Sequence, residues 1–211
     1  NEATVIRTRI ENILQCDYPP ERLSVVVASD GSTDDTNTII RSFCDRGVRL
    51  HESPGLGKTA TQNTAINTIV SDLIVFTDAD VTFEPEFLSL IARKFQVPSV
   101  GAVDGRQLYS SQPTLDVQTC QGYYWNYELQ LLPLESQFGV LSVVAGACFA
   151  VRRSVFLTMD PSIGEDCIVP LDVVVHGYVL LHEPTARAWV RMYDDPALTW
   201  RRRIRITRPN R

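Results

Sequence analysis

Lysine is almost missing from this 211-residue chain, with only Lys58 and Lys94 beside eighteen arginines, and tryptophan, histidine and methionine number three, three and two. A lysine-rich solvated surface is therefore excluded, and Lys58 becomes a candidate for a specific task. The five cysteines (Cys16, Cys44, Cys120, Cys148, Cys167) are odd in number and widely spaced, with no C-x-x-C pair and no histidine at metal spacing. That pattern encodes neither a disulfide framework nor a zinc site, and points to a reducing compartment. The longest strongly apolar stretch runs only from Val140 to Val151, well short of the roughly 20 residues a membrane-spanning helix needs. Nothing in the sequence has the pattern of a signal peptide, a repeat, a low-complexity tract or a Gly/Ser linker. The chain begins at Asn1 without a methionine and stops inside an arginine-rich run, so both ends are expected to be cuts in something longer.

What is present suits a cored protein: 44% hydrophobic and 21% charged residues exclude disorder and predict one large domain. The 20 basic and 25 acidic residues net to −5, but six arginines follow Trp200 with no acid among them. The body before that tail carries 14 basic against 25 acidic residues, which argues against a nucleic-acid partner.

The pattern along the chain alternates strands and helices. Ile6, Ile10, Ile13 and Leu14 have helical spacing, and Leu23 to Ala28 reads as a buried strand leading into Asp30-Gly31-Ser32-Thr33-Asp34. A helix carries Ile39, Ile40 and Phe43, a strand spans Val48 to His51, and a helix spans Lys58 to Val70. Leu73 to Thr77 is a strand ending on Asp78-Ala79-Asp80, Pro85 opens a helix through Phe95, and a strand begins at Val100. Thr114 to Glu135 reads as helical, Leu141 to Val151 as a strand, Gly164-Glu165-Asp166 as a helix start, and Tyr178 to Leu181 as a strand. The fold class is α/β, a sheet with helices on both faces and with function at the carboxyl ends of its strands.

Two acidic clusters, Asp30 and Asp78/Asp80, fall at strand ends. One such carboxylate alone is usually a helix cap or turn former, but Asp-x-Asp on a tight turn suits a hard divalent ion shared with a diphosphate. Gly55-Leu56-Gly57-Lys58-Thr59 fails as a phosphate-binding P-loop, because Glu52 stands where glycine is required. What survives is a glycine-rich turn with a lysine at a helix start, predicted to meet an anion with a charge and free backbone N–H groups. Glu165-Asp166 reads either as acids favoured at a helix N-terminus or as a general base. His51, His176 and His182 read as structural, and Cys167 has no credential beyond its neighbour Asp166.

Taken in order, these segments resemble family 2 glycosyltransferases. The matching stretches are Tyr18-Pro19, Ala28 to Thr36 (ASDGSTDDT), Gly57 to Asn63 (GKTATQN), Phe76 to Asp80 (FTDAD), Glu135-Ser136, Gly146-Ala147 with Arg152-Arg153, Glu165-Asp166 and Arg201 to Arg205. The resemblance implies a Rossmann-like glycosyltransferase A-type fold, with a mixed, mostly parallel sheet flanked by helices. It also implies an inverting, metal-assisted transfer from a nucleotide sugar, first of all a UDP-sugar, to a saccharide or lipid-linked acceptor. Carried over residue by residue, Asp30 would hold the uracil or ribose, and Lys58 and Asn63 would line the nucleotide site. Asp78 and Asp80 would form the DxD motif for Mg²⁺ or Mn²⁺, with Asp80 the more direct ligand. Asp166, paired with Glu165, would be the base, and Arg202 and Arg205 would clamp the pyrophosphate. The subgroup most alike makes polysaccharides at the cytoplasmic face of the membrane, with membrane segments that would lie outside this chain. Residues 1–110 would form the nucleotide-sugar lobe and residues 111–211 the acceptor lobe of a single domain.

Two departures from the family pattern stand out. The family's first strand, near a Pro-x-x-Asn-Glu pattern, is absent, with Asn1-Glu2 as its remnant, and the Gln-x-x-Arg-Trp motif of processive synthases is replaced by Thr199-Trp200-Arg201-Arg202-Arg203. The arginines there read equally as a juxtamembrane basic segment. Tyr123 to Tyr127 reads as a core or interfacial helix or as an acceptor platform. A non-catalytic nucleotide-sugar-binding domain and a sugar-nucleotide nucleotidyltransferase stay open as rival readings.

Overall fold

The computed structural model describes residues 1–109, 130–139, 141, 143–191 and 204. The elements that position the site are α1 (Ile6–Leu14), β1 (Val25–Asp30), α2 (Thr36–Arg41), β2 (Val48–Ser53), α3 (Lys58–Ile66), β3 (Leu73–Phe76) and β4 (Val81–Phe83). There follow α4 (Phe87–Lys94), β5 (Val100–Tyr109), a helical stretch over residues 130–138 (α5), β6 (Phe149–Arg152), α6 (Glu165–Val175) and β7 (Val179–Val190). Among the described residues no helix is long and apolar enough to cross a membrane. Cys120, the Tyr123 to Tyr127 cluster, Arg202 and Arg205 lie outside the described residues.

The strands fall into two sheets, a parallel β1-β2 pair and a five-stranded sheet in the order β3-β6-β5-β7-β4. The larger sheet is mixed: β5 and β7 are parallel, while β3-β6, β5-β6 and β4-β7 are antiparallel. Among the described strands β1 pairs only with β2 and β3 only with β6, so both present an edge. The outermost strands, β3 and β4, are consecutive in the chain and joined by residues 77–80 alone. That connection reaches at most about 18 Å, against about 19 Å across four flat interstrand gaps. The sheet is therefore curled, bringing its edges toward each other beneath Asp78 and Asp80.

Side-chain alternation gives the sheet two buried faces. Val103 and Ala150 point into a cluster with Phe87, Leu88 and Ile91 of α4, whereas Ala102, Phe149 and Val151 point into one with Ile66 of α3 and Val169 and Val173 of α6. A third cluster packs Ile6 and Ile10 of α1 against Val25, Ile40 and Val48. Helix α4 forms where Phe87, Leu88 and Ile91 share one stripe after Pro85, and Arg93 and Lys94 complement the dipole in its last turn.

The expected strand from Leu141 to Val151 is corrected to Phe149–Arg152. Upstream, the Ala145 N–H donates to the Asp104 carboxylate (3.0 Å) and the Val144 N–H to the Asp166 carbonyl (3.4 Å). Those backbone groups find partners outside a ladder, so the small apolar residues form a loop against α6. The helix expected to Val70 ends at Ile66, and the strand from Tyr178 continues to Val190 as β7. His182 is structural, as expected: its Nδ1 meets Asp104 Oδ2 at 2.9 Å with both side chains buried.

Phe149, fully buried, stacks on Phe76 across the β3-β6 pair, with ring centroids 4.7 Å apart. Phe149→Ala is expected to cost about 3–5 kcal/mol of stability, read as a lowered urea midpoint with an unchanged slope.

Candidate functional site

The site is organised around α3 and the glycine-rich turn before it. Gly57 precedes the helix at φ 93°, a conformation that glycine alone adopts without strain. The turn wraps the Asp30 side chain at the end of β1. Asp30 Oδ1 accepts from the Leu56 N–H and the Thr61 hydroxyl, both at 2.8 Å, and Oδ2 from the Gly57 N–H at 2.9 Å. Desolvation works to raise this carboxyl, but the Thr61 hydroxyl and the two amides outweigh it and hold it below the usual 3.8. This corrects the expectation of free backbone N–H groups in the turn: the Leu56 and Gly57 amides are already taken by a carboxylate of the protein. Asp30 thus shapes the approach to Lys58.

Lys58, the first residue of α3, joins two distant segments. Its Nζ lies 2.9 Å from Asp78 Oδ1 and 2.5 Å from Glu165 Oε1. The lysine and Asp78 side chains are 48% and 41% exposed, whereas Glu165 is 5% exposed, so one carboxylate faces the opening and the other lies in the wall. Burial works against the ammonium charge, but Asp78 and Glu165 outweigh it and raise the Lys58 pKa above its ordinary value. Lys58 is a fixed cation. Further along α3, the Thr59 hydroxyl donates to the Ile163 carbonyl (3.0 Å), and the Asn63 amide exchanges two hydrogen bonds with the Met159 backbone (2.8 and 3.0 Å). Asn63, expected at the nucleotide, is engaged with the segment that leads into α6.

Asp166 follows Glu165 in the first turn of α6 and is partly buried. A Cβ at Gly164 would stand 2.5 Å from Asp166 Oδ1, so the carboxylate folds over its own N-cap in space that glycine alone leaves open. Pro170 lies inside the helix and has no N–H to offer the Asp166 carbonyl four residues earlier. Val144 supplies one instead, at 3.4 Å. Burial, then Asp166 and Glu165, push the exposed Cys167 thiol upward, away from the reactive thiolate.

Arg9 and Asn12 of α1, which sequence reasoning missed, hold the turn bearing Asp78 and Asp80 at both ends. Arg9 is buried; its Nη2 donates to Thr77 Oγ1 (2.7 Å), its Nη1 to Asn12 Oδ1 (2.6 Å), and its guanidinium lies 4.0 Å from the centre of the Phe83 ring. Asn12 Nδ2 donates to the Phe83 carbonyl (2.9 Å), and its Oδ1 accepts the Phe83 N–H (2.8 Å). Burial lowers the Arg9 pKa to about 10, with Asp78 and Asp80 among the charges that oppose it. The one signal in the sequence was an arginine inside an otherwise apolar helix stripe. Asp80 also accepts the Arg191 N–H through its backbone carbonyl, at 3.4 Å.

Lys58, Asp78 and Glu165 are thus in direct contact, with Asp80, Asp166 and Asp30 one step away along the chain or through the turn. The two carboxylates of the Asp78-Ala79-Asp80 turn are hard oxygen donors suited to Mg²⁺ or Mn²⁺. Among the described residues no group of three Asp, Glu, His or Cys side chains forms a closed metal cage. The donor set therefore fits an ion that takes its remaining oxygens from a ligand and from water.

Asn12→Ala is expected to cost about 1–3 kcal/mol, because it strands both Phe83 backbone groups, read by urea denaturation. A carboxyl whose folded pKa lies below its unfolded value contributes stability above the unfolded pKa and loses it as pH falls through the folded one. Asp30→Asn is accordingly expected to be less stable than the parent at neutral pH, with the deficit closing as pH falls below 3.8. Thermal melts across that range check it.

Comparison with known proteins bears on the family and the fold. The chain is 26% identical over 229 residues to the probable glycosyltransferase YdaM of Bacillus subtilis, covering all of this chain and 53% of that protein. It is 30% identical over 156 residues to an N-acetylglucosaminyltransferase of Sinorhizobium fredii, covering 71% of this chain and 37% of the relative. The chain thus spans about half, or less, of the length of these curated relatives. In fold it is similar to the mannosyltransferase PcManGT from Pyrobaculum calidifontis in complex with GDP-Man and Mn²⁺, with a TM-score of 0.79, 24% identity and coverage of 97% of this chain and 58% of that one. It is also similar to Staphylococcus aureus TarS in complex with UDP-GlcNAc, with a TM-score of 0.70, 12% identity and coverage of 94% and 58%. The family model described as glycosyl transferase family 2 matches residues 1–159, and the chain belongs to that family.

Proposed function

We propose that this chain is the catalytic domain of an inverting glycosyltransferase that moves a sugar from a nucleotide-sugar donor, first of all a UDP-sugar, to a hydroxyl of a saccharide or lipid-linked acceptor. The observation that carries this reading is the Lys58 bridge between Asp78 and Glu165. It joins the carboxylate turn to the segment bearing Asp166 in one open site.

Asp78 and Asp80 would hold Mg²⁺ or Mn²⁺, with Asp80 the more direct ligand as the family resemblance implies. Such an ion, when bound, neutralises charge on the departing diphosphate. Lys58 adds a fixed cation beside that charge. Glu165, buried against Lys58, keeps the lysine in place, whereas Asp166 is not spent on the cation and is the base. The acceptor hydroxyl gives its proton to the Asp166 carboxylate, its oxygen bonds to the anomeric carbon, and the bond to the diphosphate breaks on the opposite face with its electron pair. Asp30 and Asn63 frame the nucleotide pocket from β1 and α3, with Asp30 on the side of the base or ribose. Arg202 and Arg205 would clamp the phosphates from residues outside those described. Residues 1–110 would bind the donor and residues 111–211 the acceptor, with the parent protein at the cytoplasmic face of a membrane.

The test is nucleoside diphosphate release by the full-length protein from a panel of UDP-sugars and GDP-mannose, with Mn²⁺ or with EDTA. One donor is expected to be turned over only with metal. Asp80→Asn is expected to abolish release, and Asp166→Asn to lower turnover by about 10²–10⁴-fold while donor binding persists. Donor binding with no release under any acceptor condition would favour the non-catalytic reading instead.

A further inference from the structure

A second cleft, of about 830 Å³, opens at the amino end of β3, away from the site above. Asp72 and Leu73 enter it from the start of β3, and Arg152 and Arg153 from the end of β6, whose antiparallel register pairs Leu73 with Arg152. Arg93 of α4, together with Arg22 and Tyr18, completes the wall. The four residues of β3 separate this cleft from Thr77 by about 13 Å.

Among the described residues the cleft stands out by its basic charge against an acidic body. It gathers four arginines around a single acid, Asp72. Arg41, Lys58, Lys94 and Arg187 each meet a carboxylate, but among the described residues none of the four cleft arginines does. Arg152 is committed to the fold: its Nε donates to the Val100 carbonyl (3.1 Å) and its Nη2 to those of Phe95 (2.8 Å) and Val97 (3.3 Å). It thereby offsets the partial negative charge where α4 ends. Arg22 and Arg93 are exposed, so their guanidinium forks remain for a ligand, while the partly exposed Arg153 guanidinium rests 5.8 Å from the centre of the Phe156 ring. Like charges are gathered in one concavity at an electrostatic cost that a bound anion would relieve.

We propose that this cleft binds a phosphate-bearing anion, either a soluble phosphate compound or the headgroup of an anionic lipid. Guanidinium forks match phosphate oxygens in pairs, and the volume lies within the range of small-ligand sites. The full-length protein is titrated with inorganic pyrophosphate in EDTA by calorimetry. In a second arm it is floated with phosphatidylcholine vesicles with or without phosphatidylglycerol. Binding is expected in at least one arm, which identifies the source, and Arg22→Glu/Arg93→Glu is expected to weaken it about tenfold or more. Raised salt should do the same. Arg22→Gln/Arg93→Gln gives the same reading should the charge reversal impair folding by circular dichroism. Asp80→Asn is expected to leave cleft binding unchanged, which separates this site from the transfer reaction. Absence of binding in both arms, or binding equal in the parent and both arginine variants, overturns the proposal.

Discussion

Everything at this site hangs on one lysine shared between two carboxylates. Asp78 ends a strand of the five-stranded sheet, Glu165 begins a helix 87 positions later, and Lys58 heads the helix that packs between them. Without that partner the buried Glu165 carboxylate would have no cation beside it, and the acidic turn would lose its nearest compensating charge. Two segments far apart in the chain are thereby registered to each other within hydrogen-bonding distance. Contacts of α3 from Thr59 to Ile163 and Asn63 to Met159 tie the same helix to the segment before Glu165, and Thr61 ties it to Asp30.

The supports of the site differ in kind. On the Asp78/Asp80 side they are side chains from α1, with Arg9 and Asn12 gripping Thr77 and Phe83. On the Asp166 side they are properties of the backbone: an N-cap without a Cβ at Gly164 and a proline that leaves a carbonyl to be met by Val144. A carboxylate turn held by a buried arginine keeps its two acids close despite their mutual repulsion. A helix start held by its neighbour's main chain does not depend on the Asp166 side chain for its cap.

Much of this was legible in the sequence because strand ends and helix starts announce themselves locally. The alternation of elements, the acids at the ends of β1 and β3, the isolated Lys58 and the Glu165-Asp166 helix start all follow from patterns a few residues long. The Lys58 contacts to Asp78 and Glu165 did not, since nothing local records which charges meet across 20 and 107 positions. The short β4 was missed because three residues cannot display a period. The stretch from Leu141 misled for a different reason: small apolar residues look like a strand until Asp104 and Asp166 claim their backbone groups. Arg9 and Asn12 were hidden in a helix whose apolar face was all that periodicity could report.

The span from Thr77 to Asp80 bridges the two edges of a curled sheet in four residues, and its second half is a turn. Its acids are therefore placed by the shortness of the connection as well as by packing. A lengthened span would let the two carboxylates drift from Lys58, and a shortened one would pull the sheet tighter than its core allows. Evolution could vary the side chains around this crossing far more freely than it could vary the number of residues that make it.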